Sequence, residues 1–288
     1  MNIAMSGSTG FVGGHLTKAF RERGWTVIPL GRDDFKGDDA ALSRKIEGVE
    51  VVINLAGASV AARWTKEYKK IMYGSRIETT KKIVDAMAGA GEKPRLFIST
   101  SAVGIYGAGG VYTEENARYG DDFLGKLASD WEQAALRARD AGVRTVIFRF
   151  GIVLGLDGGA LKKMLIPFRI GLGGTIGDGK QAFSWVHIKD LVRAYFTVME
   201  NKGFEGIYNL TAPNPTTNKG LTSALAHALH RPALMRVPSF VLKLQLGEGA
   251  EVLLKGQRVL PKRLLESGFT FKFAEIEKAI KDLVKGRG

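Results

Sequence analysis

The stretch YGDDFLGKLASDWE (119–132) holds a single lysine, Lys126, where Phe123, Leu127 and Trp131 recur at helical spacing. An ammonium there can anchor hydroxyls or an anion, but at neutral pH it supplies no proton unless a neighbour acts with it. Four residues earlier stands Asp122, which i, i+4 spacing puts on the same helical face. A carboxyl with a pKa near 4 is a poor donor unless burial raises it. A second cluster is richer. In SGSTGFVGGHL, Gly7, Gly10 and Gly13 repeat at every third position, directly after an apolar run and before a helical one. Gly7 permits a tight turn, Gly10 lets backbone approach a pyrophosphate, and Gly13 allows close helix–sheet packing. The helix N-terminus then offers amides and a positive dipole end to phosphates. With Thr9, Phe11 and Val12 between them, these glycines form the predicted dinucleotide contact.

Two further segments complete that site. The second apolar run ends PLGRDDF, so Gly31 and Arg32 fall where an acid would bind the adenosine ribose of NAD. A guanidinium suits a 2′-phosphate instead, which favours NADP(H) over NAD(H). Asp33 and Asp34 follow and would serve NAD if the strand ends later. The third run ends NLAG, where the small residues of Leu55, Ala56 and Gly57 bring backbone against the adenine or ribose side. Arg76, on the following helix, is a candidate phosphate partner or a solvated helix arginine. GTIGDGKQ (174–181) matches G-x-x-x-x-G-K but puts Gln181 at the metal-binding position, and AFSWVH after it does not open a helix. It is not read as a phosphate loop.

These residues need a scaffold, and the chain alternates to provide one. Strands are expected at Asn2–Ser6, Thr26–Leu30, Val51–Leu55, Leu96–Ser99 and Thr145–Phe150, with helices over Val12–Arg23, Thr65–Ala88 (interrupted) and Phe123–Ala141. That rhythm predicts an α/β fold, a Rossmann-type doubly wound parallel sheet binding ligands at its carboxyl ends. The rhythm breaks after Gly151. A cofactor domain over 1–155 and a smaller α/β substrate-binding and helical region over 156–288 follow, with a later strand near 206–211 rejoining the sheet.

Composition narrows the function. There are 288 residues, no cysteine and four histidines without ligand spacing, which leaves no thiolate or metal site. No apolar run approaches the roughly 18–20 residues that span a bilayer, and MNIAMSG reads as a first strand rather than a leader. A cytoplasmic protein with no membrane partner is expected. The formal charge of +13 comes from bases scattered among acids along helices. It suits an anionic small-molecule substrate and points to no nucleic acid.

On GSTGFVG, NLAG, ISTSAVGIYG, the Lys126 helix, RFGIVLG and WVHIKDL, nearly the whole chain resembles the extended short-chain dehydrogenase/reductase superfamily, which includes the nucleotide-sugar epimerases. RW…GSRIETT (Arg63–Thr80), MLIPFRIGLGGTIGDGKQAFSWVHIKD and LHRPALMRVPSF…GQRVLPKRL make it most similar to the bacterial "epimerase family" oxidoreductases, an atypical branch of undefined reaction found also in eukaryotes. The resemblance implies that Ser101 polarises a carbonyl or hydroxyl and that Lys126 binds the nicotinamide ribose. It also implies a Tyr at position 122, where this chain has Asp. Tyr106, Tyr119 or Asp122 itself are the candidate replacements, with Tyr106 favoured; the alternative is no acid–base chemistry. Arg149, within an apolar strand, needs an anion or a carboxylate. His187 and Asp190 read as mainly architectural. Arg63, Lys162, Lys163 and Arg169 are either anion-binding from the lid side or surface. The implied activity is NADP-dependent oxidation–reduction or epimerisation at a carbonyl or carbinol of a small, nucleotide-sugar-like substrate. Its rival is a sensor or scaffold that binds NADP(H) without turnover.

Overall fold

The computed structural model describes residues 1–285. Its centre is a six-stranded parallel sheet built from β1 (Asn2–Ser6), β2 (Thr26–Leu30), β3 (Val51–Asn54), β4 (Leu96–Ala102), β6 (Arg144–Phe150) and β11 (Gly206–Leu210). Short strand β5 (Val111–Tyr112) lies outside it, as do β7 (Ile152–Leu154), β8 (Gly174–Ile176), β9 (Ala182–Phe183) and β10 (Trp185–His187). The sheet order is β11-β6-β4-β3-β1-β2. Strand order therefore reverses between β1 and β3, and the crevice outside their carboxyl ends is where such sheets bind ligands.

Period-2 alternation assigns the two faces. Ile3, Met5, Ile53, Ile98 and Phe148 point to one side, under α1 (Phe11–Glu22) and, from beyond residue 155, the helix Ile188–Glu200. Ala4, Val52, Phe97 and Ile147 point to the other, under α2 (Asp39–Ile46), α4 (Ile77–Gly89) and α5 (Phe123–Leu136). The helical run expected from Thr65 is two helices, α3 (Lys66–Gly74) and α4, broken at Ser75–Arg76. The later strand does rejoin the sheet, with Gly206 to Leu210 in parallel register with Val146 to Phe150.

The C-terminal lobe has its own apolar core around Trp185, between α6 (Gly159–Arg169), α8 (Asn218–Leu229) and the helix Ile276–Lys285. The rejected phosphate-loop segment forms β8 here, paired with the strand Met235–Val237.

α7 (Ile188–Glu200) is tied in through WVHIKD. His187 caps it, with Nδ1 accepting the Lys189 N–H at 3.0 Å, and Nε2 lies 3.3 Å from the Asp282 carboxylate. Asp190 is fully buried and accepts the backbone N–H groups of Lys272 (2.9 Å) and Phe273 (2.8 Å). Burial, above all, pushes the His187 pKa down from 6.5 to about 4. A proton on Nδ1 would also face the Lys189 N–H. The folded ring stays neutral where the unfolded chain takes up a proton, so the unfolded state binds more protons between about pH 6.5 and 4. Stability in urea should fall as pH drops through that window. His187→Asn, which keeps a capping side chain, should flatten the slope.

Candidate functional site

The glycine turn is built as its spacing requires. Gly7 adopts φ +67°, and a Cβ there would stand 2.9 Å from the Leu55 carbonyl oxygen. A Cβ at Gly13 would stand 2.1 Å from the Gly7 oxygen, so only glycine lets α1 start this close to β1. Thr9 and Gly10 are exposed at the mouth, and Gly10 caps α1 without a side-chain hydrogen bond. The first amides of α1 thus remain open to an anion. Val12 packs into the core, and the Phe11 ring lies under the Gly155–Gly159 loop.

NLAG is held from below by a buried polar relay. Ser6 donates to Asn54 Oδ1 (2.7 Å) and accepts the N–H groups of Leu55 (3.1 Å) and Ala56 (3.2 Å). Asn54 donates to Thr80 Oγ1 (2.7 Å), which also accepts the Trp131 indole N–H at 2.9 Å. Arg76 lies against Gly57, stacks 5.3 Å over Trp131, and donates to the Ala58 (2.9 Å) and Met72 (3.2 Å) carbonyls. Burial lowers its pKa to about 10, so it stays charged at neutral pH without a carboxylate partner among the described residues. Ser6 and Thr80 were not singled out from sequence, and Asn54 and Trp131 only as parts of NLAG and of a helical stripe; the signal was a polar Asn closing an apolar strand.

At the end of β2 the acids are turned away. Asp34 accepts the Gly31 N–H at 2.6 Å and Lys45 at 2.8 and 2.9 Å. Burial alone would raise its pKa, but these partners overcome it and hold the carboxyl below its usual range. Asp33 is solvent-exposed and pairs with Lys36. Arg32 is exposed at the strand end with no ion pair among the described residues.

Of the expected catalytic residues, Ser101 and Tyr106 meet on one buried ion pair, and Lys126 is not part of it. Ser101 is 1% exposed, and its hydroxyl donates to Glu132 Oε1 at 2.6 Å. Glu132 also accepts Arg149 Nε and Nη2, each at 2.7 Å. Arg149 Nη1 donates to the Tyr106 hydroxyl (2.7 Å) and Nη2 to the Tyr119 hydroxyl (2.9 Å). Tyr106 donates in turn to Asn209 Oδ1 at 2.7 Å. Burial, chiefly, raises the Tyr106 pKa; the hydroxyl is enclosed rather than open to a substrate. For Arg149, burial acts to lower the pKa, but the Glu132 carboxylate outweighs it and raises it.

Asp122 and Lys126 are corrected as well. Asp122 is the N-cap of α5, and its carboxylate accepts the Gly125 N–H at 2.9 Å rather than pairing with Lys126. In α5, Leu127, Ala128, Trp131, Glu132 and Ala135 face inward. At 100° per residue Lys126 projects from the opposite side, into solvent. No ion pair joins it to Asp122 among the described residues. Glu132 was overlooked, although a Glu within the apolar Leu127–Trp131–Ala135 stripe mirrors an Arg within an apolar strand.

Residues 3–211 match the model of the NAD dependent epimerase/dehydratase family. The chain belongs to that family. Residues 237–283 of this epimerase-family chain match a domain of unknown function (DUF1731). Over an alignment of 301 positions it is 38% identical to the epimerase family protein YfhF of Bacillus subtilis, covering 100% of this chain and 99% of the relative. Human epimerase family protein SDR39U1, solved with NADPH, superposes with a TM-score of 0.90 at 33% identity, over 99% of both chains. A Thermus thermophilus UDP-glucose 4-epimerase, solved with NAD, has a TM-score of 0.79 at 19% identity over 99% of this chain and 98% of that one, a likeness of fold alone.

The buried pair generates a stability prediction. Glu132→Gln leaves Arg149 uncompensated inside the protein and should cost about 3–5 kcal/mol in urea unfolding. Combining Glu132→Leu with Arg149→Met should cost less than Glu132→Gln alone.

Proposed function

We propose that this epimerase-family chain binds NADP(H) in preference to NAD(H), and holds it without the serine–tyrosine–lysine proton relay of its wider superfamily. The glycine turn, the open first amides of α1 and the small-residue NLAG edge fit a dinucleotide lying across the reversal of strand order. The observation that carries the preference is at β2. The Asp34 carboxylate is engaged by Gly31 and Lys45, which leaves the Arg32 guanidinium to meet the adenosine ribose. That arrangement suits a 2′-phosphate. The NADPH seen in human SDR39U1 supports the same reading. Arg76, charged and braced against Gly57, adds positive charge beside the crevice.

The nicotinamide would supply hydride chemistry. This chain's residues orient the dinucleotide and shelter it, while Ser101 and Tyr106 hold the fold under α5. A bound-nucleotide sensor or scaffold therefore fits the geometry better than a superfamily dehydrogenase. A reaction in this crevice would take its proton from a group other than Ser101, Tyr106 or Lys126.

NADPH should raise the melting temperature more than NADH does. Arg32→Ala should weaken NADPH binding roughly tenfold or more, as loss of a charged hydrogen bond implies, with little effect on NADH. Equal stabilisation by both cofactors would sink the preference. With a panel of carbonyl compounds, any NADPH oxidation should survive Lys126→Ala. Its abolition with NADPH binding intact would restore the superfamily relay.

A further inference from the structure

Four linked parts of the C-terminal lobe carry large apolar side chains that the fold leaves uncovered. Ile166 on α6 and Ile170, its C-cap, lie one turn apart, and the chain leads on through Leu172 into β8. The strand Met235–Val237 runs beside β8 with Met235 opposite Gly174, and Leu234 precedes it. The helix Ser239–Leu246 follows after Pro238, buries no residue, and carries Phe240 and Leu244 one turn apart. These seven side chains are between 52% and 87% exposed. Large apolar side chains left exposed on linked segments mark a binding face.

Its two ends are fastened to the two sides of the crevice. At the start of α6, Gly155, Gly158 and Gly159 pack on Phe11 of the glycine turn, where a Cβ at Gly158 would stand 2.6 Å from the ring. At the other end the Leu246 carbonyl accepts the Trp64 N–H at 3.4 Å, and Glu248 pairs with Lys69. The face thus runs from the phosphate turn to the loop after β3. The same segments carry exposed cations, Lys163, Arg169, Arg236 and Lys243, none in an ion pair among the described residues.

This chemistry discriminates between occupants. A nucleotide base needs hydrogen-bonding partners for its edge, and these aliphatic and phenyl groups offer none. A second copy would bring the same unpaired cations, and each chain carries a formal +13. We infer that this face is the substrate wall of the crevice and that its ligand is a small amphipathic anion, an apolar chain or ring carrying a carboxylate or phosphate. The inference rests on the cofactor reading only for where the ligand's reactive end would lie.

The test uses decanoate, below its micellar concentration, and UDP-glucose, each titrated calorimetrically into the full chain with and without NADPH. Decanoate should bind one-to-one and saturably. Phe240→Asp combined with Leu244→Asp should weaken it at least tenfold, as should Lys163→Glu with Arg169→Glu, with NADPH binding unchanged in both. UDP-glucose should neither bind nor compete. Decanoate uptake that does not saturate, or that the variants leave intact, would overturn the inference. So would UDP-glucose binding, or a dimer in light scattering that Phe240→Asp and Leu244→Asp dissolve. A wild-type chain that takes up decanoate but not NADPH would refute the cofactor reading alone.

Discussion

A guanidinium and a carboxylate, both buried, sit between the carboxyl half of the sheet and α5, and the local fold is arranged around them. Removing two charges from water is tolerable only when each is paired and its remaining donors and lone pairs are satisfied. Arg149 meets that condition with Glu132, Tyr106 and Tyr119, and Glu132 with Arg149 and Ser101. Through Tyr106 the network reaches Asn209 on β11, whose side chain also donates to the Leu260 carbonyl at 3.0 Å. One ion pair therefore joins β4, β6, β11, α5 and the 106–119 loop. The hydroxyls of Ser101, Tyr106 and Tyr119 are the ones that make this pair tolerable.

α5 links this hub to the cofactor side. Trp131 and Glu132 are neighbours in sequence: one donates to the Thr80 end of the relay beneath NLAG, the other receives Arg149. The edge of the dinucleotide crevice and the buried ion pair are held by consecutive residues of a single helix. A shift of α5 would disturb both. That gives a physical reason for a charged group in an otherwise apolar helix face, beyond any contribution to net stability.

Much of the scaffold was legible because its signals are local. β1, β2 and β11 have the bounds that their apolar runs and turn residues suggest, and the glycine spacing maps directly onto a steric requirement at Gly7 and Gly13. The DDF acids were harder, since sequence places Asp34 near the ribose but not its capture by Lys45 from α2. The Asp122–Lys126 pair misled for a definable reason. Spacing of four puts two residues on one face only if both are helical, and α5 begins at Phe123. A start one residue later converts a facing partner into a cap.

By itself the sequence determined the class of fold, the glycine turn that opens α1, the arginine after β2 and the need of Arg149 for an anion. Each follows from residue type and short-range spacing: steric room, alternation, or the cost of burying a charge. Only the tertiary structure decided which carboxylate Arg149 meets, that Ser101 and Tyr106 serve it, and that Lys126 faces water. Those outcomes depend on the rotation of α5 about its axis and on contacts between segments distant in the chain. Helical phase is set by the packing of the whole inward stripe, and no single spacing within YGDDFLGKLASDWE encodes it.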